Sequence, residues 1–200
     1  MQTTYTTIQS SSTAEFRDRG SKFLAFAFPL PNMDALKPLL QDLKKEHPKA
    51  VHHCYAYRLG IDGTQHRSND DGEPSGSAGR PILGQIDSAG LTNILVVVVR
   101  YFGGQLLGVP GLINAYKTAA TEAISSAEQV EKNIEFNLKL NFDYTILNEV
   151  MTVLKQEEAT IIKQEMTLFC DFFVGIPLTN KESATAKLEN IYGLTIEIAK

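Results

Sequence analysis

Apolar positions change period several times along the chain, and each change predicts an element. Tyr5 to Gln9 alternates weakly, and Ala14 to Gly20 carries the charged run Glu15-Phe16-Arg17-Asp18-Arg19-Gly20, the pattern of an exposed strand end and turn. Phe23, Leu24, Phe26 and Phe28 then form a short block closed by Pro29 and Pro31, which reads as a strand buried largely on both faces. Met33, Leu36, Leu39, Leu40 and Leu43 recur at helical spacing behind Asn32 or Asp34 as N-cap, and this helix ends in Lys44 and Lys45 before Pro48. Val51 to Leu59 alternates as a strand that Gly60 to Gly63 interrupts, and the strongly β-branched run Ile94 to Val99 is the core strand. From Pro110, placed as N1, a long Ala-rich helix carries Leu112, Tyr116, Ala119, Ala120, Ala123 and Ile124 on one broad face.

A polar connection from Glu128 to Asn133 divides the chain into two expected domains, 1–131 and 132–200. The second reads as a strand at Glu135 to Asn141, a helix over about Thr145 to Gln156, and strands near Ala159 to Gln164 and Thr167 to Gly175. A capping-box pattern, Thr179-Asn180-Lys181-Glu182, opens a last helix that closes at Gly193 before a strand from Leu194 to Ala199. The order βαββαβ predicts a ferredoxin-like layer of helices on an antiparallel sheet, so the fold class is α+β.

Composition narrows the class. With 43% apolar and 21% charged residues in 200, disordered, collagenous and coiled-coil chains are poor fits. An apolar run such as Ile94 to Val99 reaches only six residues, too short for a membrane span, and the first residues lack the basic and apolar regions of an export signal. Two widely separated cysteines, Cys54 and Cys170, fit a reducing compartment, and a cytoplasmic location is expected. The net charge of −4 is shared by both halves, so neither carries the basic surplus of a nonspecific nucleic-acid binder; no DNA partner and no membrane partner are expected.

The chemistry is concentrated in two places. From His66 to Pro81 there is no large apolar residue, but there are three carboxylates (Asp70, Asp71, Glu73), three hydroxyls (Ser68, Ser75, Ser77) and two arginines (Arg67, Arg80). Downstream, Arg100 and Tyr101 end the core strand, and Gly103, Gly104, Gly108 and Gly111 lead into a helix start, where main-chain N–H groups favour an anion. These glycines serve close packing equally well. Neither a Walker A nor a GxGxxG sequence is present, so no nucleotide cofactor is expected. His52 and Cys54 share one strand face and His53 the other, but no metal-ligand spacing surrounds them, and no metal is expected. No nucleophile elbow surrounds Ser75 or Ser77, and Cys170 among Phe169, Phe172 and Phe173 reads as a packed thiol.

Ser21-Lys22-Phe23, Ala50-Val51-His52-His53-Cys54-Tyr55-Ala56-Tyr57-Arg58, Asp70-Asp71-Gly72-Glu73-Pro74-Ser75-Gly76-Ser77-Ala78-Gly79-Arg80-Pro81 and Arg100-Tyr101-Phe102-Gly103-Gly104, with Leu107-Gly108 and Ala115-Tyr116, resemble the YigZ/IMPACT family. Ser77 stands where the pattern usually has Thr, and Pro110 where it commonly has Gly. The resemblance implies an N-terminal βαβ domain like that of ribosomal proteins and elongation factors, and a C-terminal domain like the last domain of elongation factor G. It also implies a role in translation. Eukaryotic members restrain an amino-acid-starvation kinase by competing for its activator, but with a different accessory domain.

Two functions follow. In the first, a groove between the polar segment and the glycine turn contacts RNA, the ribosome or a translation factor. Arg67, Arg80 and Arg100 engage anions, Tyr101 stacks on a base, and Gly103 and Gly104 allow close approach. In the second, an enzyme holds a small anion in that groove, with Asp71 or Glu73 as acid/base, Arg80 and Arg100 as anchors, and a divalent ion as an optional helper. The ligand-binding set is Arg67, Asp70, Asp71, Glu73, Ser75, Ser77, Arg80, Arg100, Tyr101, Gly103 and Gly104; no catalytic residue is assigned.

Overall fold

The computed structural model describes residues 2–61 and 64–199, so Asp62 and Gly63, half of the expected strand break, lie outside the described residues. The chain forms two compact units, Tyr5–Lys132 and Asn133–Lys200, the latter grouped with Met1–Thr4.

The first unit runs β1 (Thr4–Ile8), β2 (Ser12–Asp18), β3 (Ser21–Pro29), α1 (Leu36–Glu46), β4 (His52–Leu59), β5 (Gln65–Asn69), α2 (Gly79–Ser88), β6 (Ile94–Tyr101), α3 (Gly108–Ser126) and β7 (Gln129–Asn133). Five strands make an antiparallel sheet in the order β2-β3-β6-β4-β5, and β1 pairs with β7 in a separate ribbon. Alternate residues of β6 enter different cores. Ile94, Val96 and Val98 join the cluster under α2 and α3, while Leu95, Val97 and Val99 pack with Leu36, Leu39, Leu40 and Leu43 of α1. Helices on both faces explain why β6 shows no polar alternation. On α3, Ala115, Ala119, Ala120 and Ala123 are fully buried, and these small side chains let the helix lie close to the sheet.

Asn32 caps as expected: its Oδ1 accepts from the N–H groups of Asp34 (3.1 Å) and Ala35 (3.2 Å) in a 3-10 turn that leads into α1. The charged Glu15 run is a strand end and turn, as expected: β2 is paired residue for residue with β3 through Asp18, and Arg19-Gly20 form the turn. Three local readings need correction. The polar segment begins as β5 and ends as α2, whose Ile82 and Ile86 are fully buried. Helix α3 starts at Gly108, so Pro110 is its third residue, still where no intrahelical N–H partner is lost. The polar connection after α3 is strand β7.

The second unit runs β8 (Glu135–Phe142), α4 (Leu147–Gln156), β9 (Thr160–Met166), β10 (Cys170–Pro177), α5 (Lys181–Glu189) and β11 (Thr195–Ile198). Its antiparallel order, β11-β8-β10-β9, is that of a ferredoxin-like split βαβ. Both helices cover one face through Val150, Leu154, Ala184 and Leu188, and Cys170 is buried in that core. The expected capping box does not form. Thr179 Oγ1 donates to Asn180 Oδ1 at 3.1 Å, and a 3-10 turn feeds α5 instead. No helix among the described residues is long and apolar enough to cross a membrane.

Candidate functional site

The turn between β5 and α2 is organised by Asp70. Its Oδ1 accepts from the N–H groups of Ala78 (3.0 Å) and Gly79 (2.8 Å), and its Oδ2 accepts from Gly76 (2.9 Å). Burial opposes ionisation of Asp70, but these N–H groups and nearby Arg80 outweigh it and hold the carboxyl below the usual carboxylate range. Glycine is required at position 79, because a Cβ there would stand 2.6 Å from the Asn69 nitrogen. Ser77, fully buried, donates its hydroxyl to the Pro74 carbonyl at 2.6 Å.

Behind this turn lies a sealed polar cluster. Glu73 Oε1 accepts from Arg100 Nη1 at 2.5 Å and from the Tyr116 hydroxyl at 2.8 Å. Glu73 is 8% exposed and Arg100 5%. The Arg100 guanidinium sits between the rings of Phe23 and Phe102, 5.5 and 5.6 Å from their centroids, although its buried Nε has no hydrogen-bond partner among the described residues. The Cys54 thiol lies 3.0 Å from the Asp70 carbonyl and 3.3 Å from the Tyr116 oxygen. Burial pushes both the Cys54 thiol and the Tyr116 hydroxyl far up, so each stays protonated and Cys54 is no nucleophile. At the margin, His52 Nδ1–H donates to the Asp71 carbonyl at 2.7 Å, leaving Nε2 3.9 Å from Glu73 Oε1.

Of the residues singled out from sequence, Asp70, Glu73, Ser77 and Arg100 converge here. Others do not. Tyr101 follows Arg100 on β6 and therefore faces the α1 layer, where its hydroxyl and His47 Nδ1 are 3.0 Å apart. Arg67 pairs across from Tyr57 and belongs to that same opposite face. Asp71 also turns that way: its Oδ2 accepts from the His53 N–H at 2.7 Å, and Lys44 Nζ is 3.8 Å from Oδ1. Ser75 and Arg80 are exposed. Gly103 is a packing glycine: its N–H donates to Ser21 Oγ at 3.2 Å, and a Cβ would collide with the Gly20 backbone at 1.9 Å. Gly104, at φ +84°, has open space around it.

Tyr116 and Phe23 complete the cluster and were not singled out for it. The available signal was a tyrosine in a buried alanine stripe, since a buried phenol needs a partner for its hydroxyl. Among the described residues, no three His, Cys, Asp or Glu side chains are grouped so as to hold a metal ion.

Residues 19–124 match the family model described as the Impact N-terminal domain. The chain is 34% identical over 170 residues to IMPACT family member YigZ of Escherichia coli (strain K12), covering 84% of this chain and 83% of that protein. It is 31% identical over 186 residues to an IMPACT family member of Haemophilus influenzae, covering 92% and 90%. A crystal structure described as that of a hypothetical protein superposes with a TM-score of 0.78 at 29% identity, covering 100% of this chain and 99% of that one. With the signature segments lying along the strands and turns of one compact unit, the chain belongs to the IMPACT family.

Proposed function

We propose that this chain is a translation-associated regulatory protein that acts by binding, and that its partner is a protein component of the translation apparatus. One observation carries this reading: Glu73 and Arg100 of the signature segments are buried against each other, while the surface after β6 is apolar. Phe102, Leu106, Val109 and Ile113 are exposed by 48, 83, 46 and 39%. Val109 and Ile113 stand one turn apart on α3, so they share a helix face. A rigid, internally neutralised support carrying exposed apolar side chains suits protein recognition better than phosphate recognition. Membership of the IMPACT family supports the link to translation.

Acid–base catalysis on a small anion fits less well. The Glu73 carboxylate is closed off by Arg100 and Tyr116, and Arg100 already has its counter-ion. Co-sedimentation of the full chain with ribosomes across a salt series tests the proposal. The expected result is binding with shallow salt dependence that Leu106→Asp abolishes and Arg80→Ala spares. A steep loss with salt would transfer the reading to RNA. No co-sedimentation even at low salt would remove the ribosome as the partner.

A further inference from the structure

The second unit's sheet has the order β11-β8-β10-β9, so β9 stands at an edge and pairs with β10 alone among the described residues. Six of its seven residues are exposed, whereas β11 at the opposite edge has only four residues in all. An edge strand presents a row of main-chain donors and acceptors to any strand that approaches, and proteins guard such edges with proline, an uncompensated lysine or a polar surface. Strand β9 is thinly guarded. It contains no proline, and Lys163 is neutralised by Glu165 on the same strand, 2.6 Å away. Ile162, Met166, Leu168 and Phe169, in the strand and its hairpin, are exposed by 50, 49, 87 and 53%. A bulge leaves Ile162 as the extra residue between Ile161 and Lys163, so regular pairing is confined to the half toward the hairpin.

Two observations say what this edge accepts. The chemistry of β9 reads the same in both directions from Gln164. A second β9 laid antiparallel on it, with Gln164 opposite Gln164, sets Lys163 opposite Glu165 and Ile162 opposite Met166, and the two-fold symmetry repeats each pair. The second observation is the row that holds Glu165. Asp171 of β10 stands directly opposite Glu165, and like charges in that position destabilise a sheet. Lys163 answers Glu165 within the strand, which leaves Asp171 with the Asn141 amide, 2.7 Å away, and no ion pair among the described residues. A lysine arriving from the outer side adds the missing positive charge to the row. The edge strand β2 of the first unit also alternates Glu15 with Arg17, but its one large apolar residue, Phe16, is packed against the core.

We infer that β9 is a self-association edge, through which two copies of this chain join their second units by antiparallel β9 pairing centred on Gln164. Gln164 pairs with the buried Phe172, so its neighbours Lys163 and Glu165 lie on the sheet face away from the helices. There they alternate with Glu165 and Lys163 of the second copy, while Ile162 packs beside Met166 of the second copy. The bulge ends the regular ladder at Ile162, so the contact is short and falls at the small end of specific interfaces, where association is weak. This edge shares no residue with the sealed cluster or the apolar surface after β6, and it does not depend on the proposed role in translation.

Sedimentation velocity of the full chain, loaded at about 5 to about 500 µM, tests the assignment. The expected result is a monomer–dimer equilibrium with a dissociation constant of about 10–100 µM. Lys163→Glu and Glu165→Lys alter side chains that are 71 and 60% exposed, so both variants fold. Each sets like charges across the ladder and weakens the dimer about tenfold. Mixed in equal amounts, the two variants regain opposite signs in every cross-strand pair, and a heterodimer of near wild-type strength forms. Arg17→Glu, on the edge strand β2, leaves association unchanged. A chain that stays monomeric to about 500 µM would overturn the assignment and leave the edge to a strand from a different protein. So would single variants that dimerise as tightly as the wild type, a mixture that does not recover, or a dimer lost with Arg17→Glu.

Discussion

The two faces of the five-stranded sheet are built from the same strands, and they handle charge in opposite ways. Toward α2 and α3, Glu73, Arg100, Tyr116 and Cys54 are buried and bonded to one another. Toward α1, the next residues along β4 and β6, His53, Tyr55 and Tyr101, look onto a helix whose lysines remain at the surface. One face is closed by mutual neutralisation; the other keeps an excess of cationic groups around a hollow. Strand parity alone assigns each residue to its side, so a sequence with chemistry at consecutive strand positions builds two different environments one residue apart.

The sharpest way to break the contrast is Glu73→Ala. It strands the buried Arg100 cation, and the expected loss is about 3–5 kcal/mol in urea unfolding. The cost of removing a charge on the open face is much smaller: Lys44→Gln should change stability by no more than about 0.5 kcal/mol, because exposed ion pairs contribute little. Between these extremes lies Tyr116→Phe, which keeps the ring packed on Phe23 at a 5.1 Å centroid distance and removes only the hydroxyl. Its expected cost in the same unfolding experiment is about 1–2 kcal/mol.

Asp70 extends the comparison to pH. Its folded value is depressed, so its contribution is present above the ordinary carboxylate value of about 4 and is lost as pH falls through the folded value. Unfolding free energy measured from pH 6 downward, to about 2, should therefore fall in the wild type, and Asp70→Asn should flatten that slope. The smallest expected effect is at Cys54. Its thiol, buried and held protonated, should resist alkylation in the native protein and react once the chain is unfolded; rapid native labelling would show that the sealed face opens.

Much of the architecture was legible from periodicity. The apolar run of β6, the leucine spacing of α1 and the alanine face of α3 are direct records of burial, and the βαββαβ order of the second unit is carried by its alternation of periods. The segment from His66 to Pro81 was not legible in the same way. It has no large apolar residue, yet it holds most of β5, the start of α2 and four buried positions, Glu73, Ser77, Ala78 and Gly79. Hydropathy reads side chains, whereas this turn is held by main-chain N–H groups converging on one carboxylate. The division of the candidate residues between two faces escapes hydropathy for a related reason. Tyr101 and Arg100 are neighbours in sequence and therefore opposite in space on a strand.

From the order of its residues alone, this protein's layers, its two-part organisation and its membership of a family can be read, because burial leaves a periodic trace in one dimension. Which ionic groups meet depends on strand register and helix docking across gaps such as the 27 positions between Glu73 and Arg100. Coulomb attraction, desolvation and hydrogen bonding act over a few ångströms, and those distances exist only after the chain has folded. Tertiary structure therefore decided that Arg100 is braced inside rather than offered to a ligand, and that the unbalanced charge lies beside α1.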